Sequence, residues 1–338
     1  MRRVTMKDIS NKLDISINAV SLALNNKVGV SEETRKMVLN VAEELGYLEK
    51  SPKFVKSYAQ KNICVIIKKI YFEDNTFYSK VMKGISDEAS KNNYDIITCI
   101  KDDSKNIPSC VETKKVCGVV VIGTIDDDYL FKLKQYNIPV VLVDHTSLLY
   151  NTDSILTDNK MGSFKITKLL FDKGYEKIGF FGDLEYSLSV KERYFGYKEA
   201  IKKFAPTEIN VKETIHKYSI LSDIEEYILN GEHKKIQEII KNVSALPDAF
   251  VCSNDNAAIM LITSLTDLGY NVPKDIAVVG FDDIAMNSLL VPKLTTVRVN
   301  KELMGIKAVK RLLWRLNNKK EMTENLVMGV DVIERASC

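Results

Sequence analysis

The sequence predicts an α/β protein in two parts, a small all-helical N-terminal domain followed by parallel, doubly wound sheets. Three observations point there. The first 47 residues hold three closely spaced helical patterns with capping residues between them. From Asn62 onward, short Val- and Ile-rich runs alternate with longer helical patterns, the signature of βαβ units. A chain of 338 residues also exceeds one ordinary domain and suits two or three.

Thr5 is placed to cap a first helix, Met6–Leu13, with Met6, Ile9 and Leu13 on one face. Asp14 and Ile15 form a tight turn, and Ser16 caps a second helix running to about Leu24. Ser31 caps a third, from Glu32 to Leu45; Glu32 and Glu33 suit its positive end and Gly46 stops it. Met37, Val38, Val41, Ala42 and Leu45 repeat there at helical spacing and are expected to face the other two helices.

The second helix carries the functional argument. Ala19, Val20, Ala23 and Leu24 form an inward stripe, while Ile17, Asn18, Ser21, Leu22 and Asn25 face outward. Apolar residues facing water gain nothing, whereas in a major groove Ile17 and Leu22 can meet thymine methyls and Asn18 can pair with adenine edges. Ser16, Ser21, Asn25 and Thr34 carry short hydroxyl or amide groups suited to phosphate oxygens. Charge agrees: residues 1–61 hold eleven Lys and Arg against seven Asp and Glu, and the remainder 37 against 38. A three-helix domain used for protein contacts is the alternative.

The segment VTMKDISNKLDISINAVSLALNNKVGVSEETRKMVLNVAEELGY resembles the DNA-binding domain of the lactose-repressor (LacI/GalR) family almost residue for residue. The resemblance implies that the second helix is the recognition helix, with Ile17, Asn18 and Leu22 reading bases of a pseudo-palindromic operator; Thr5 and Ser31 join Ser16, Ser21, Asn25 and Thr34 as further expected DNA contacts. Most relatives carry arginine where this chain has Leu22. Ser51-Pro52 is a helix-start signal for a hinge segment, residues 48–61, with a short helix to about Tyr58. In the family a leucine from this hinge wedges into the minor groove. Here Phe54 or Val55 stands nearest, and a basic linker touching phosphates only is the other reading.

In residues 62–338, strands are predicted at Ile63–Ile67, Ile96–Ile100, Val119–Ile122, Val140–Val143, Ile178–Phe181, Ala249–Cys252, Ile276–Phe281 and Val327–Ile333. Helices are predicted near Tyr78–Asn92, Met161–Lys173, Val190–Phe204, Ala257–Leu268 and Lys301–Leu316. Ligands of such sheets bind beyond the carboxyl ends of the strands. There stand Asp144 after VVLV, Asp183 after IGFFG, Asn254-Asp255 after AFVCS, and Asp282-Asp283 after AVVGF. Carboxylates and amides on four strand ends suit a molecule rich in hydroxyls. Arg193 adds a forked donor, and Phe72, Phe77 and Tyr78 add flat apolar faces. Each Asp or Asn also has the simpler role of capping the next helix.

DNKMGSFKITKLLFDKGYEKIGFFG, ERYFGYKEAI, SNDNAA, VPKDIAVVGFDDI and LTTVRVNKELMG are similar to successive landmarks of the same family. They imply a two-lobed periplasmic-binding-protein-like domain with two parallel doubly wound sheets and an effector in the cleft. Asp144, Arg193, Asn254 and Asp282 fall at effector-contacting positions, and Tyr71–Tyr78 lines the first lobe, with Thr76 where relatives carry proline. The chain is expected to cross between lobes near Asp158, Val297 and Asn317. Lobe 1 would hold about 62–157 and 297–317, and lobe 2 about 158–296 and 318–338. With no heptad tail after the last strand, a homodimer is expected rather than a tetramer.

Other classes fit less well. The start, MRRVTMKDISNKL, lacks the apolar stretch of an export signal, so a cytoplasmic protein with no membrane partner is expected rather than a transport protein that binds sugar. His145, His216 and His233 form no catalytic constellation, and no glycine-rich nucleotide loop or nucleophile elbow occurs. No enzyme and no cofactor are expected. The six cysteines show no metal or redox spacing, and most sit in apolar runs as small core residues. Among effectors a neutral carbohydrate leads; a purine, or a phosphorylated corepressor protein, follows.

Overall fold

The computed structural model describes residues 4–25, 27, 29–47, 61–73, 76–102, 106–207 and 210–338. Phe54, Val55 and the expected hinge helix lie outside the described residues.

The N-terminal domain has three helices, α1 (Met6–Leu13), α2 (Ile17–Leu24) and α3 (Glu32–Glu44). Ser16 Oγ accepts from Ala19 N at 3.0 Å and Ser31 Oγ from Thr34 N at 3.1 Å, closing two helix starts. Asp14 takes φ 52° in the turn between α1 and α2. Ile9, Val20, Ala23, Leu24, Val38, Ala42 and Tyr47 form the core, with Leu13, Val41 and Leu45 partly buried against it. Met37 does not join them and is 47% exposed. Val38 and Ala42 occupy the inward stripe, and a neighbour on a helix is rotated by about 100° out of it. Arg35 of α3 donates to Ala23 O at 3.2 Å and Lys27 O at 2.9 Å, so it satisfies carbonyls at the end of α2 and ties the two helices together.

Two six-stranded sheets follow. The first contains β1 (Asn62–Lys68), β2 (Asp95–Lys101), β3 (Gly118–Ile122), β4 (Val140–Val143), β5 (Asp153–Thr157) and the late strand β11 (Asn325–Met328). The second contains β6 (Ile178–Gly182), β7 (Ile220–Leu221), β8 (Ala249–Cys252), β9 (Ala277–Asp282), β10 (Thr295–Arg298) and β12 (Asp331–Ile333). Their orders are β11-β5-β4-β3-β1-β2 and β12-β10-β9-β8-β6-β7, parallel throughout except where β12 runs against β10. The helices are α4 (Lys69–Phe72), α5 (Tyr78–Lys91), α6 (Ser109–Glu112), α7 (Asp127–Gln135), α8 (Asn159–Asp172) and α9 (Leu188–Phe204). They continue with α10 (Val211–Tyr218), α11 (Ile224–Leu229), α12 (His233–Asn242), α13 (Asp255–Asp267) and α14 (Lys301–Asn317).

Central strands β3, β4, β8 and β9 are buried along their whole length, which explains their unbroken apolar runs. The chain leaves the first sheet at Asp158, whose carboxylate caps α8 through Met161 N at 2.9 Å. It returns after β10 as α14, which packs on α5. A Cβ on Gly84 would stand 2.0 Å from Glu302 O, so those two helices meet backbone to backbone. In the second lobe Gly196 of α9 does the same against Lys160 O, at 2.2 Å.

The expected third crossing near Asn317 is corrected. The predicted strand Val327–Ile333 is two strands: β11 extends the first sheet beside β5, with Val327 opposite Leu156, and β12 joins the second, with Val332 opposite Val297. The chain therefore changes lobes around Gly329. Strand β5 carried no apolar signal because Asp153, Ser154 and Thr157 are buried in it. Asp153 accepts from Arg315 Nε at 2.7 Å, Arg315 Nη2 at 2.9 Å, Arg311 Nε at 2.8 Å and Glu324 N at 3.0 Å. A buried charge is tolerable when its partners are this complete.

Candidate functional site

Two surfaces collect the residues singled out from the sequence. The first is the outer face of α2. Ile17 is 47% exposed, Asn18 and Asn25 are exposed, and Ser21 and Leu22 are half-buried. Asn25 Nδ2 donates to Ser21 O at 2.7 Å, and Ser31 and Thr34 hydroxyls lie 2.8 Å apart. The hydroxyl of Thr5 donates to Asp8 Oδ2 at 2.7 Å, and the same carboxylate oxygen accepts from Thr5 N. That bond commits the Thr5 proton within the helix start and leaves only its oxygen to accept. Ile17 and Asn18 stand free at the head of the helix, where a groove could receive them.

The second surface is the cleft between the lobes. Asp144 follows β4 with φ 58° and Asp282 ends β9 with φ 115°, a backbone region that non-glycine residues avoid. These turns aim both carboxylates inward. Asp144 Oδ2 accepts from Tyr78 OH at 3.0 Å, and its Oδ1 accepts from Ser189 Oγ of the opposite lobe at 2.7 Å. Burial raises the Asp144 carboxyl above its ordinary value, opposed by Arg193, Ser189 and Tyr78.

Arg193, only 4% exposed, is the hub of the second lobe. Its Nε donates to Asn159 Oδ1 at 2.9 Å, Nη1 to Ser253 O at 2.7 Å and Nη2 to Asp282 Oδ1 at 3.1 Å. Its plane stacks 3.9 Å from the centre of the Phe281 ring. Lys301 donates to Asp282 O and tethers α14 to the same strand end. Asn254 faces the cleft while its Oδ1 caps α13 through Ala257 N at 2.8 Å, so the capping and lining roles coexist.

Thr76, Phe77, Tyr78, Tyr186, Ser187 and Asn256 add to the lining, with Val190 and Ile284 as its aliphatic members, around a cavity of about 60 Å³. Phe72 is not among the lining residues; it lies 45% exposed on α4. Its neighbour Tyr71 turns inward instead, with ring centroids 4.9 Å from Tyr78 and 6.3 Å from Tyr186 across the cleft. Of the other strand-end acids, Asp183 accepts from Glu185 N, Asp283 pairs with Arg298 and Arg335, and Asp255 bonds Ile284 N, Asn287 and Thr296. Sequence reasoning missed Ser189 and Asn159, since small polar residues at helix starts read only as caps, and Tyr186, which sits in a loop with no periodic pattern to place it. Roomier hollows of about 240 Å³ beside Lys134 and Lys319 and about 610 Å³ beside Lys241 and Pro247 lie elsewhere and gather no groups from both lobes.

Behind the cleft, Glu225 accepts from Asp183 N at 2.7 Å and from the Ser253 hydroxyl. Burial pushes its carboxyl up to about 7. Between the ordinary carboxyl range and that value, the folded chain holds a proton that the unfolded chain has released. Stability therefore falls as pH rises through the interval, by at most about 1.4 kcal/mol per pH unit. Glu225→Gln is expected to flatten the pH dependence of melting between about pH 5 and 7 relative to the parent. Parallel melting profiles for the two proteins would sink this assignment. Asp255, also pushed by burial to about 7, contributes the same trend to both proteins.

Comparison with known proteins gives independent findings. The model of bacterial regulatory proteins, lacI family, matches residues 5–49, and that of the periplasmic binding protein-like domain matches residues 167–338. The chain is 31% identical over 345 residues to the HTH-type transcriptional regulator RegA of Clostridium saccharobutylicum, covering 98% of both. It is 29% identical over 340 residues to the ribose operon repressor of Haemophilus influenzae, again covering 98% of each chain. A crystal structure of the Lac repressor dimer bound to operator and the anti-inducer ONPF superposes with TM-score 0.71 at 21% identity, covering 99% of each chain.

Proposed function

The chain belongs to the lacI family of bacterial regulatory proteins, and on that premise we propose that it is a dimeric, cytoplasmic transcriptional repressor that releases or grips a pseudo-palindromic operator in response to a neutral sugar. The relatives are named as regulators and repressors, not enzymes, and no described helix is long and apolar enough to cross a membrane. The observation that carries the effector reading is the Asp144–Arg193–Asp282 constellation, which both donates and accepts hydrogen bonds. Three of the five N–H groups of Arg193 are already engaged, and two carboxylates flank the cavity. An anionic ligand would meet like charge there, whereas hydroxyls can pair with every group on offer.

The narrowness of the cleft supplies the coupling. A space of about 60 Å³ holds only about two waters, so an effector must part the Asp144–Ser189 contact to enter. It binds the parted arrangement better, and only such differential affinity can shift the lobes. In a dimer, recognition helices must sit about one DNA turn or a multiple apart, so a small change in spacing alters both half-sites together. A coupling of about 1–3 kcal/mol is ordinary for such switches.

The test is a purified-protein assay with a randomised operator pool, followed by thermal-shift screening against sugars, sugar phosphates and purines. Salt-sensitive selection of one pseudo-palindrome and stabilisation by a neutral sugar are expected. Absence of any salt-sensitive site preference overturns the regulator reading, and stabilisation by purines or phosphates alone overturns the sugar. Leu22→Arg is expected to move operator preference toward guanine at one symmetric pair of positions, by about 1–3 kcal/mol. Selection that returns unchanged sites refutes Leu22 as a base reader.

A further inference from the structure

Three thiols from three separate elements meet on the outer face of the first sheet. Cys64 stands on β1, Cys99 on β2 and Cys110 on the short helix α6. Cys64 Sγ lies 3.7 Å from Cys99 Sγ, which lies 3.9 Å from Cys110 Sγ, and all three fall within 4.8 Å of one another. Strand register explains the first pair: Cys99 stands opposite Ile66, so Cys64 is two residues along the same face. The third comes from α6 packing its Cys110 and Val111 into the same apolar cluster.

All six cysteines are free thiols, and this is the only such cluster of potential ligands among the described residues. Cys64 is fully buried and Cys110 nearly so, while Cys99 on the sheet edge is partly open to solvent, which gives the cluster a way in.

We propose that Cys64, Cys99 and Cys110 form a trigonal three-sulfur site for a soft monovalent cation, copper(I). A metal–sulfur distance of about 2.3 Å in a trigonal plane sets the sulfurs about 4.0 Å apart. Two of the three observed spacings are within a few tenths of an ångström of that value before any side chain moves. An all-sulfur donor set rejects hard cations, which require oxygen. A structural zinc site takes four protein ligands, and no fourth His, Cys, Asp or Glu joins this group among the described residues. A zinc held by three protein ligands would need a water in its fourth position, whereas a three-fold all-sulfur donor set is complete for soft copper(I).

A thiol ligates a metal as the thiolate, so binding must release protons to solvent. Affinity therefore rises with pH. Ligation also pins α6 to two adjacent strands and stabilises the first lobe by mass action.

The experiment uses the full chain, reduced and metal-free, competing with a chromogenic chelator for copper(I), with zinc titrated in parallel. One equivalent of copper is expected, with an affinity that climbs with pH. Cys99→Ser is expected to weaken binding by more than about 100-fold, beyond what loss of an outer-shell partner costs. Cys338→Ser, in the second lobe, should leave it unchanged. X-ray absorption on the unsubstituted copper-loaded protein provides a reading independent of variant folding, with three sulfurs at about 2.3 Å expected. Tight binding retained by Cys99→Ser, fewer than three sulfurs, or a preference for zinc would each overturn the copper(I) site.

Discussion

Replacing Arg193 with alanine is expected to abolish the effector response and to destabilise the two-lobed domain by about 3–5 kcal/mol, the usual effect of removing one partner from a buried ion pair. The size follows from what the guanidinium holds. Without it, the Asp282 carboxylate loses its buried counter-charge, Ser253 O and Asn159 Oδ1 lose donors, and the Phe281 ring loses its stacking partner. Arg193→Lys keeps the charge but cannot fork toward three acceptors, so it should recover part of the stability and little of the response. Operator binding, measured below the melting temperature of the variant, should persist because α1 to α3 make their own core. Loss of operator binding in a folded Arg193→Ala dimer, or an intact sugar-induced thermal shift, would show that the cleft has been misassigned.

A comparable loss is expected at Asp153, far from the cleft. Asp153→Ala would strand Arg315, whose Nη1 and Nη2 also reach Glu321 O at 2.6 Å and Met322 O at 2.8 Å, and would release the start of β11. We expect about 3–5 kcal/mol of destabilisation by chemical denaturation. Burial alone would raise this carboxyl, but hydrogen bonds from Arg315 and Arg311 outweigh it and hold it below its ordinary value. Its stabilising contribution is therefore complete above the unfolded carboxyl range and disappears as pH falls through the folded value. The difference between parent and variant should shrink on acidification. A difference independent of pH would mean that packing, not charge, makes Asp153 important.

The two acids show what could be read from the chain and what could not. Asp282 follows an unbroken apolar strand, so its position at a strand end was legible. Asp153 opens a strand whose Ser154 and Thr157 are also buried, and no local pattern distinguishes those residues from a loop. Their burial depends on Arg311 and Arg315, more than 150 positions away in the chain. Likewise Tyr71 and Phe72 are adjacent aromatics in one short helix, and only the packing of Tyr78 and Tyr186 selects Tyr71 for the cleft.

By itself the sequence determined the three N-terminal helices with their caps, the central strands and the acids at their ends, because helix capping and apolar periodicity act within a few residues. Tertiary structure alone decided that β11 and β12 belong to different sheets, that Arg193 is held by four groups, and that three dispersed cysteines converge. Each of these depends on the pairing of segments far apart in the chain, which only the assembled sheets bring within hydrogen-bonding or ligand distance.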